Sequence, residues 1–174
     1  MKTLIAPLLS TLLFVPQLAA SQPAASPPAT GAGQQSIADQ LPGKYQIVSS
    51  EKDGQPSPKQ EIEGMVVEIT KDKIVTANRD RMEVHAATYT IDQTQLPARI
   101  TMVSVLERDK GVKTKGLIAL EKHGGKDRVK LIYTLPDGKI MPTEFKTYDG
   151  QVMVVLEKIG AVRTAAESEL LERR

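Results

Sequence analysis

Apolar and polar residues alternate along most of this chain, in short runs separated by turn residues. The first run, Gly43–Ser50, follows Leu41 and Pro42, and its alternation predicts that Tyr45, Ile47 and Ser49 share one face. The same reasoning predicts seven more strands, at Gly64–Thr70, Lys73–Asn78, Glu83–Asp92, Ala98–Val105, Lys113–Glu121, Arg128–Thr134 and Val152–Lys158. A stretch of irregular chain, Lys139–Tyr148, is expected before the last strand.

The connections between these runs are short and rich in glycine, proline and aspartate. Gly124-Gly125 predicts a tight hairpin between the sixth and seventh strands, because glycine supplies the positive φ angles of a two-residue turn. A chain of about eight strands joined by turns is typical of an antiparallel barrel or sandwich rather than of a fold that alternates strands and helices. We therefore expect an all-β, up-and-down barrel of about eight strands, which would leave no exposed sheet edge.

The two ends of the chain have a different character from the middle. Residues 1–20 begin with Met1-Lys2, continue with a mostly apolar, uncharged run and end in small residues, the pattern of a secretory signal peptide. The apolar run is short for a membrane span and is interrupted by Pro7 and Pro16, so a stable membrane span is not expected. We expect export to the periplasm or to the outside of the cell, and the pattern does not choose between them.

Residues 21–40 are predicted to be a disordered linker rich in proline, alanine and serine, followed by the barrel at 41–160 and a polar tail at 161–174. Ser36 can cap one helical turn in which Ile37 and Leu41 face the barrel. The tail has helical composition but is largely charged, so a frayed C-terminal helix is expected there.

Composition excludes several classes of function. The 174 residues contain no cysteine, so disulfides and thiolate metal sites are impossible. Removal of the predicted signal leaves 22 basic and 21 acidic residues, and aromatic residues are 3% of the chain, which argues against a nucleic-acid partner.

Four short motifs carry a resemblance to a known family, namely Gly43-Lys44-Tyr45-Gln46-Ile47-Val48, Asp53-Gly54, Lys115-Gly116-Leu117-Ile118 and Pro142-Thr143-Glu144-Phe145. Together they resemble a lipocalin-like family of small exported domains found in planctomycete-type bacteria, to which no function is assigned. The likeness covers Leu41–Ile159. Tyr45 stands where true lipocalins carry tryptophan. The resemblance implies an eight-stranded barrel and implies no catalysis.

The residues that could do chemistry are few and scattered. His85 shares a predicted face with Tyr89 and is a candidate polar group inside the barrel, whereas His123 lies in the Gly124-Gly125 hairpin and is expected in solvent. One histidine without a second ligand makes a poor metal site. The carboxylates show no paired spacing for acid and base catalysis, and no serine lies in a nucleophile elbow, so we expect no enzyme activity, cofactor or metal.

Two hypotheses of function remain open from the sequence. The first is a noncatalytic barrel that binds a small apolar or amphipathic ligand, with a predicted lining of Tyr45, Met65, Val67, His85, Tyr89, Met102, Ile118, Leu131 and Tyr133. The second is a filled barrel that acts as a cell-envelope or protein-interaction module. A cavity of about 300 Å³ or more would favour the first. The sequence identifies neither the ligand, nor a protein partner, nor the oligomeric state.

Overall fold

The structure, a computed structural model, describes residues 36–162. Its helices are α1 (Ile37–Gln40) and α2 (Lys59–Ile62), with a 3-10 turn at Glu107–Asp109. Its strands are β1 (Gly43–Lys52), β2 (Gln55–Pro56), β3 (Val66–Ile69), β4 (Lys73–Ala77), β5 (Glu83–Asp92), β6 (Ala98–Ser104), β7 (Lys113–His123), β8 (Lys126–Thr134) and β9 (Gln151–Gly160). The predicted signal peptide, the linker up to residue 35 and the C-terminal helix lie outside the described residues.

Eight strands form a closed antiparallel barrel, in which β1 and β3 to β9 follow one another as neighbours. The barrel closes where β1 pairs with β9, from Lys44 opposite Gly160 to Lys52 opposite Val152. The short β2 pairs only with the end of β1. The predicted all-β barrel of about eight strands is therefore confirmed, and each predicted strand overlaps one strand of the barrel.

Turn chemistry explains two of the tightest hairpins. Gly124 and Gly125 have φ angles of 58° and 79° and connect His123 to its partner Lys126. Asp53 and Gly54 have φ angles of 53° and 77° between Lys52 and Gln55. Positive φ at both central residues matches the right-handed twist of the flanking strands, so the register of each hairpin follows from its turn.

A β-bulge in β1 changes which residues face the interior. Ile47 lies opposite Leu156 and Ser49 lies opposite Val155, which leaves Val48 as an extra residue. An extra residue reverses the alternation beyond it. Ser49 is consequently exposed and Ser50 faces the interior, so the expectation that Ser49 shares a face with Tyr45 is wrong.

One end of the barrel is filled and closed by α1. Ser36 caps this helix by accepting a hydrogen bond from the backbone N–H of Asp39 at 3.1 Å, as predicted. Leu41, directly after α1, is fully buried, and Ile37 packs against the same core. The buried core at this end also includes Tyr45, Ile69, Tyr89, Ile100 and Ile118.

The irregular stretch between β8 and β9 is held against the outer face of the barrel. The backbone oxygen of Ile140 accepts hydrogen bonds from Thr134 Oγ1 and Gln151 Nε2, both at 3.0 Å. Leu117 and Ile132 pair on this outer face and are nonetheless buried. The predicted irregular stretch is present, and it has a structural role in this part of the barrel.

Candidate functional site

A cavity of about 270 Å³, the barrel cavity, lies at the end opposite α1. Apolar side chains of seven strands form most of its wall, because inward positions of each strand converge there. The described residues that line it are Ile47, Ser50, Ser57, Glu61, Ile62, Met65, Val67, Ile74, Thr76, Val84, His85, Met102, Leu131, Tyr133, Val152, Val154 and Leu156.

His85 and Tyr133 supply two polar groups in this apolar wall. Their rings are stacked, with centroids 6.5 Å apart and planes inclined by 19°. Burial lowers the pKa of His85, which favours the neutral imidazole, and burial raises the pKa of Tyr133, which keeps its hydroxyl protonated. Within residues 36–162 neither side chain makes a hydrogen bond, so both are available to a ligand.

The segment around α2 covers the barrel cavity. Ser57 ties it to β1 through a backbone hydrogen bond to the Ser50 oxygen at 2.9 Å and a contact between the two hydroxyls at 3.1 Å. Arg79, which follows β4, donates to the Glu63 backbone oxygen at 2.7 Å and to its carboxylate at 3.0 Å. Arg79 also donates to the backbone oxygen of Gln60, within α2, at 3.3 Å. No residue of α2 itself is buried, so these hydrogen bonds and not core burial hold the cover.

A smaller cavity of about 140 Å³ adjoins the first and shares His85 and Tyr133 with it. Ser104, Asp109 and Thr114 add polar groups to its wall. Asp109 Oδ1 is buried and accepts no hydrogen bond from the described residues, although Arg108 Nε lies 3.9 Å away. Asp109 favours and Arg108 opposes protonation of His85, but the effect of burial on its pKa is the largest.

Six of the nine predicted lining residues meet in the barrel cavity, namely Met65, Val67, His85, Met102, Leu131 and Tyr133. The other three, Tyr45, Tyr89 and Ile118, do not line it and are buried in the filled end. Alternation indicates which face of a strand points inward, but not how far along the barrel a residue lies. The expectation that these three line the same cavity is therefore corrected.

Tyr45 and Tyr89, which were predicted to line the cavity, have hydrogen-bond partners of their own in the filled end. Tyr45 donates to the Leu41 oxygen at 2.6 Å, and Tyr89 donates to the Thr70 oxygen at 2.8 Å. Burial is the main cause that raises the pKa of Tyr45 to about 12. Both buried hydroxyls therefore have a hydrogen-bond acceptor, and both rings pack in the hydrophobic core of the filled end.

Several lining residues were not predicted from the sequence. Ser57, Glu61 and Ile62 come from the covering segment, whose sequence indicates a polar connection with room for a short helical turn and gives no signal of a cavity lining. Ser50 faces inward because of the bulge at Val48, for which the residues give no local signal. Val152 and Val154 belong to a predicted strand whose inward face could have been named by alternation.

Other possible sites give less support for chemistry. His123 is exposed in its hairpin, as predicted. Between residues 36 and 162 there is no group of three or more histidine, aspartate or glutamate side chains that could hold a metal ion.

Within the same residues, no helix is long and apolar enough to cross a membrane.

The most strongly perturbed carboxylate, Glu157, lies on the outer face of β9. Lys126 Nζ contacts it at 2.5 Å, and Arg128 binds its other oxygen through Nε at 3.1 Å and Nη2 at 2.8 Å. These hydrogen bonds, first those of Lys126 and then those of Arg128, lower the pKa of Glu157 to about 2. A carboxylate fully occupied by two cations has a structural role in joining β8 and β9.

Comparisons with protein families, with curated proteins and with solved structures find no significant match to this chain. The interpretation of its function therefore depends on the geometry of the barrel.

Proposed function

We propose that this chain is an exported, lipocalin-like domain that holds a small apolar or amphipathic molecule in the barrel cavity and performs no reaction on it. The observation that carries the proposal is an apolar cavity whose wall contains two polar side chains, His85 and Tyr133, without hydrogen-bond partners among the described residues. Binding sites for small molecules commonly combine an apolar wall with a few polar groups that orient the ligand.

The volume of the cavity limits the ligand. At about 270 Å³ it lies just below the lower limit of about 300 Å³ for ligand sites, but well above the roughly 150 Å³ of an apolar cavity that takes up benzene. A molecule with one ring or a short alkyl chain suits this size. The filled end of the barrel, from Leu41 to Ile118, prevents the ligand from extending toward α1.

The surroundings of His85 support binding rather than catalysis. A nucleophile and its base must lie within about 2.6–3.2 Å of each other, and His85 has no such hydrogen bond to a described hydroxyl. Its ring is stacked on Tyr133 and lines both cavities. A neutral imidazole in this position can orient a polar group of a ligand.

Two substitutions on β3 test the proposal. Val67 is 2% exposed and lines the cavity, whereas its neighbour Val66 is 37% exposed on the outer face. Val67→Phe should fill part of the cavity, and Val66→Phe makes the same chemical change outside it. Binding of toluene, an apolar probe with one ring, would be measured for both by isothermal titration calorimetry, alongside native mass spectrometry of the purified full chain.

The proposal predicts that the Val67 variant binds the probe about tenfold more weakly, while the Val66 variant binds like the unchanged protein. Thermal melts of both variants would show that each is folded. If neither variant nor the unchanged protein binds the probe, and native mass spectrometry finds no retained molecule, the ligand hypothesis fails. The barrel would then be better described as an interaction module.

A further inference from the structure

The charges around the barrel cavity are unevenly distributed. Among the described lining residues Glu61 has the only charged side chain, apart from the titratable His85, and neither lysine nor arginine lines the cavity. Glu61 is exposed on α2, at the cover of the cavity, and its carboxylate makes no hydrogen bond or ion pair with the described residues. Lys59 lies on the same helix but does not line the cavity, so the full charge in the described wall is negative.

Two arginines that contact the cover or the wall of the cavity are already engaged by other groups. Arg79 is bound to Glu63, with 3.0 Å between Nη2 and the carboxylate. Arg108 has Asp109 at 3.9 Å and also donates to the Val84 backbone oxygen. An anionic ligand would thus enter past Glu61 without meeting a free positive charge in the wall.

We infer that the ligand of the barrel cavity is an amphipathic cation, such as a primary amine on a short apolar chain. This inference rests on the proposed function and names the class of its ligand. The apolar part would contact Val67, Met102 and Leu131, whose side chains form the inner wall. The ammonium group would remain at the entrance beside Glu61.

The hydroxyl groups near the entrance suit the same ligand. Ser50 and Ser57 line the cavity, and their hydroxyl oxygens are 3.1 Å apart. An ammonium group has three donors and no acceptor, and each serine oxygen has lone pairs with which to accept. A carboxylate at this place would face the Glu61 carboxylate, which is unfavourable for two like charges.

Three ligands of equal chain length separate the inference from the proposed function. Octylamine, octanol and octanoate would each be titrated against toluene bound to the full-length protein. Octylamine should displace the probe at a concentration about tenfold lower than octanoate, and octanol should fall between them. The difference should shrink with added salt, because ions screen exposed charges.

Glu61→Gln removes the charge with little change in shape. Its expected effect is to bring the displacement concentrations of octylamine and octanoate to within about twofold of each other. Glu83→Gln is the matched control, because Glu83 is exposed at the start of β5, next to Val84, and does not line the cavity. This control should retain the preference for the amine.

The outcomes distinguish two kinds of failure. Suppose that octanol displaces the probe and that octanoate displaces it at the same concentration as octylamine. The cavity then binds ligands, but the inference is wrong. The same conclusion follows if Glu83→Gln removes the preference as fully as Glu61→Gln, since general surface charge would then be responsible. If none of the three displaces the probe and the probe itself does not bind, the proposed function fails as well.

Discussion

The hydroxyl of Tyr45 donates a hydrogen bond of 2.6 Å to the backbone oxygen of Leu41 and thereby joins the first strand to the residue that ends α1. Tyr45 is 1% exposed and Leu41 is fully buried, so this bond is made inside the filled end. Its position connects the packing of the core with the closure of the barrel by α1.

Replacing Tyr45 with alanine should therefore lower the free energy of unfolding by about 3–5 kcal/mol, the range for truncating a buried large aromatic side chain. Tyr148 is 48% exposed in the irregular stretch, and Tyr148→Ala should cost under about 1 kcal/mol. Urea denaturation of both variants measures the difference. Similar small losses at the two positions would contradict the burial of Tyr45.

The hairpin between β7 and β8 depends on two positive φ angles, at Gly124 and Gly125. Replacing both with valine should destabilise the domain by roughly 1–3 kcal/mol, because a β-branched residue is strained in this conformation. Gly124→Asn is the control, since asparagine adopts the left-handed region more readily. A denaturation midpoint unchanged by the double valine substitution would show that the turn does not constrain the barrel.

Gly116 in β7 lies too close to β8 to accept a side chain. A Cβ at this position would overlap the Ile132 backbone oxygen and would lie 2.8 Å from Tyr133 Cα. Gly116→Ala should cost roughly 1–3 kcal/mol, as overpacking does, whereas Gly160→Ala meets no atom within 4 Å and should be close to neutral. Thermal melts of the two variants compare them, and equal midpoints would rule out the close approach.

The ion pairs of Glu157 predict a dependence of stability on pH. Because its pKa falls from 4.5 to about 2 on folding, the stabilisation is fully present above pH 4.5 and is lost as the pH falls toward about 2. Glu157→Gln should make the urea midpoint less sensitive to pH in this window. Glu68→Gln alters an exposed pair with Lys44 at 3.6 Å and should leave the sensitivity nearly unchanged.

The N-terminal residues predict processing on export. If residues 1–20 are a signal peptide, protein recovered from the periplasm or the medium should begin near Ser21. N-terminal sequencing of that material tests the prediction. Recovery of membrane-bound protein that retains Met1 would argue for an anchor instead.

Local chemistry in the sequence was sufficient to determine most of the strands and their order. Alternation has a period of two residues, and the residues of the Gly124-Gly125 turn directly require its φ angles. Each is a property of a few neighbouring residues, so each can be recognised without knowing the rest of the fold. The same alternation correctly indicates that His85, Met102 and Leu131 point into the barrel.

Only the tertiary structure decided where along the barrel these residues meet. The pairing of β1 with β9 and the stagger of the strands place Tyr45 in the filled end and Tyr133 in the cavity, although both point inward. The bulge at Val48 and the position of Glu61 over the entrance likewise depend on contacts between distant segments. Alternation carries no information about such contacts, because it records the face of a strand and not its register against a remote partner.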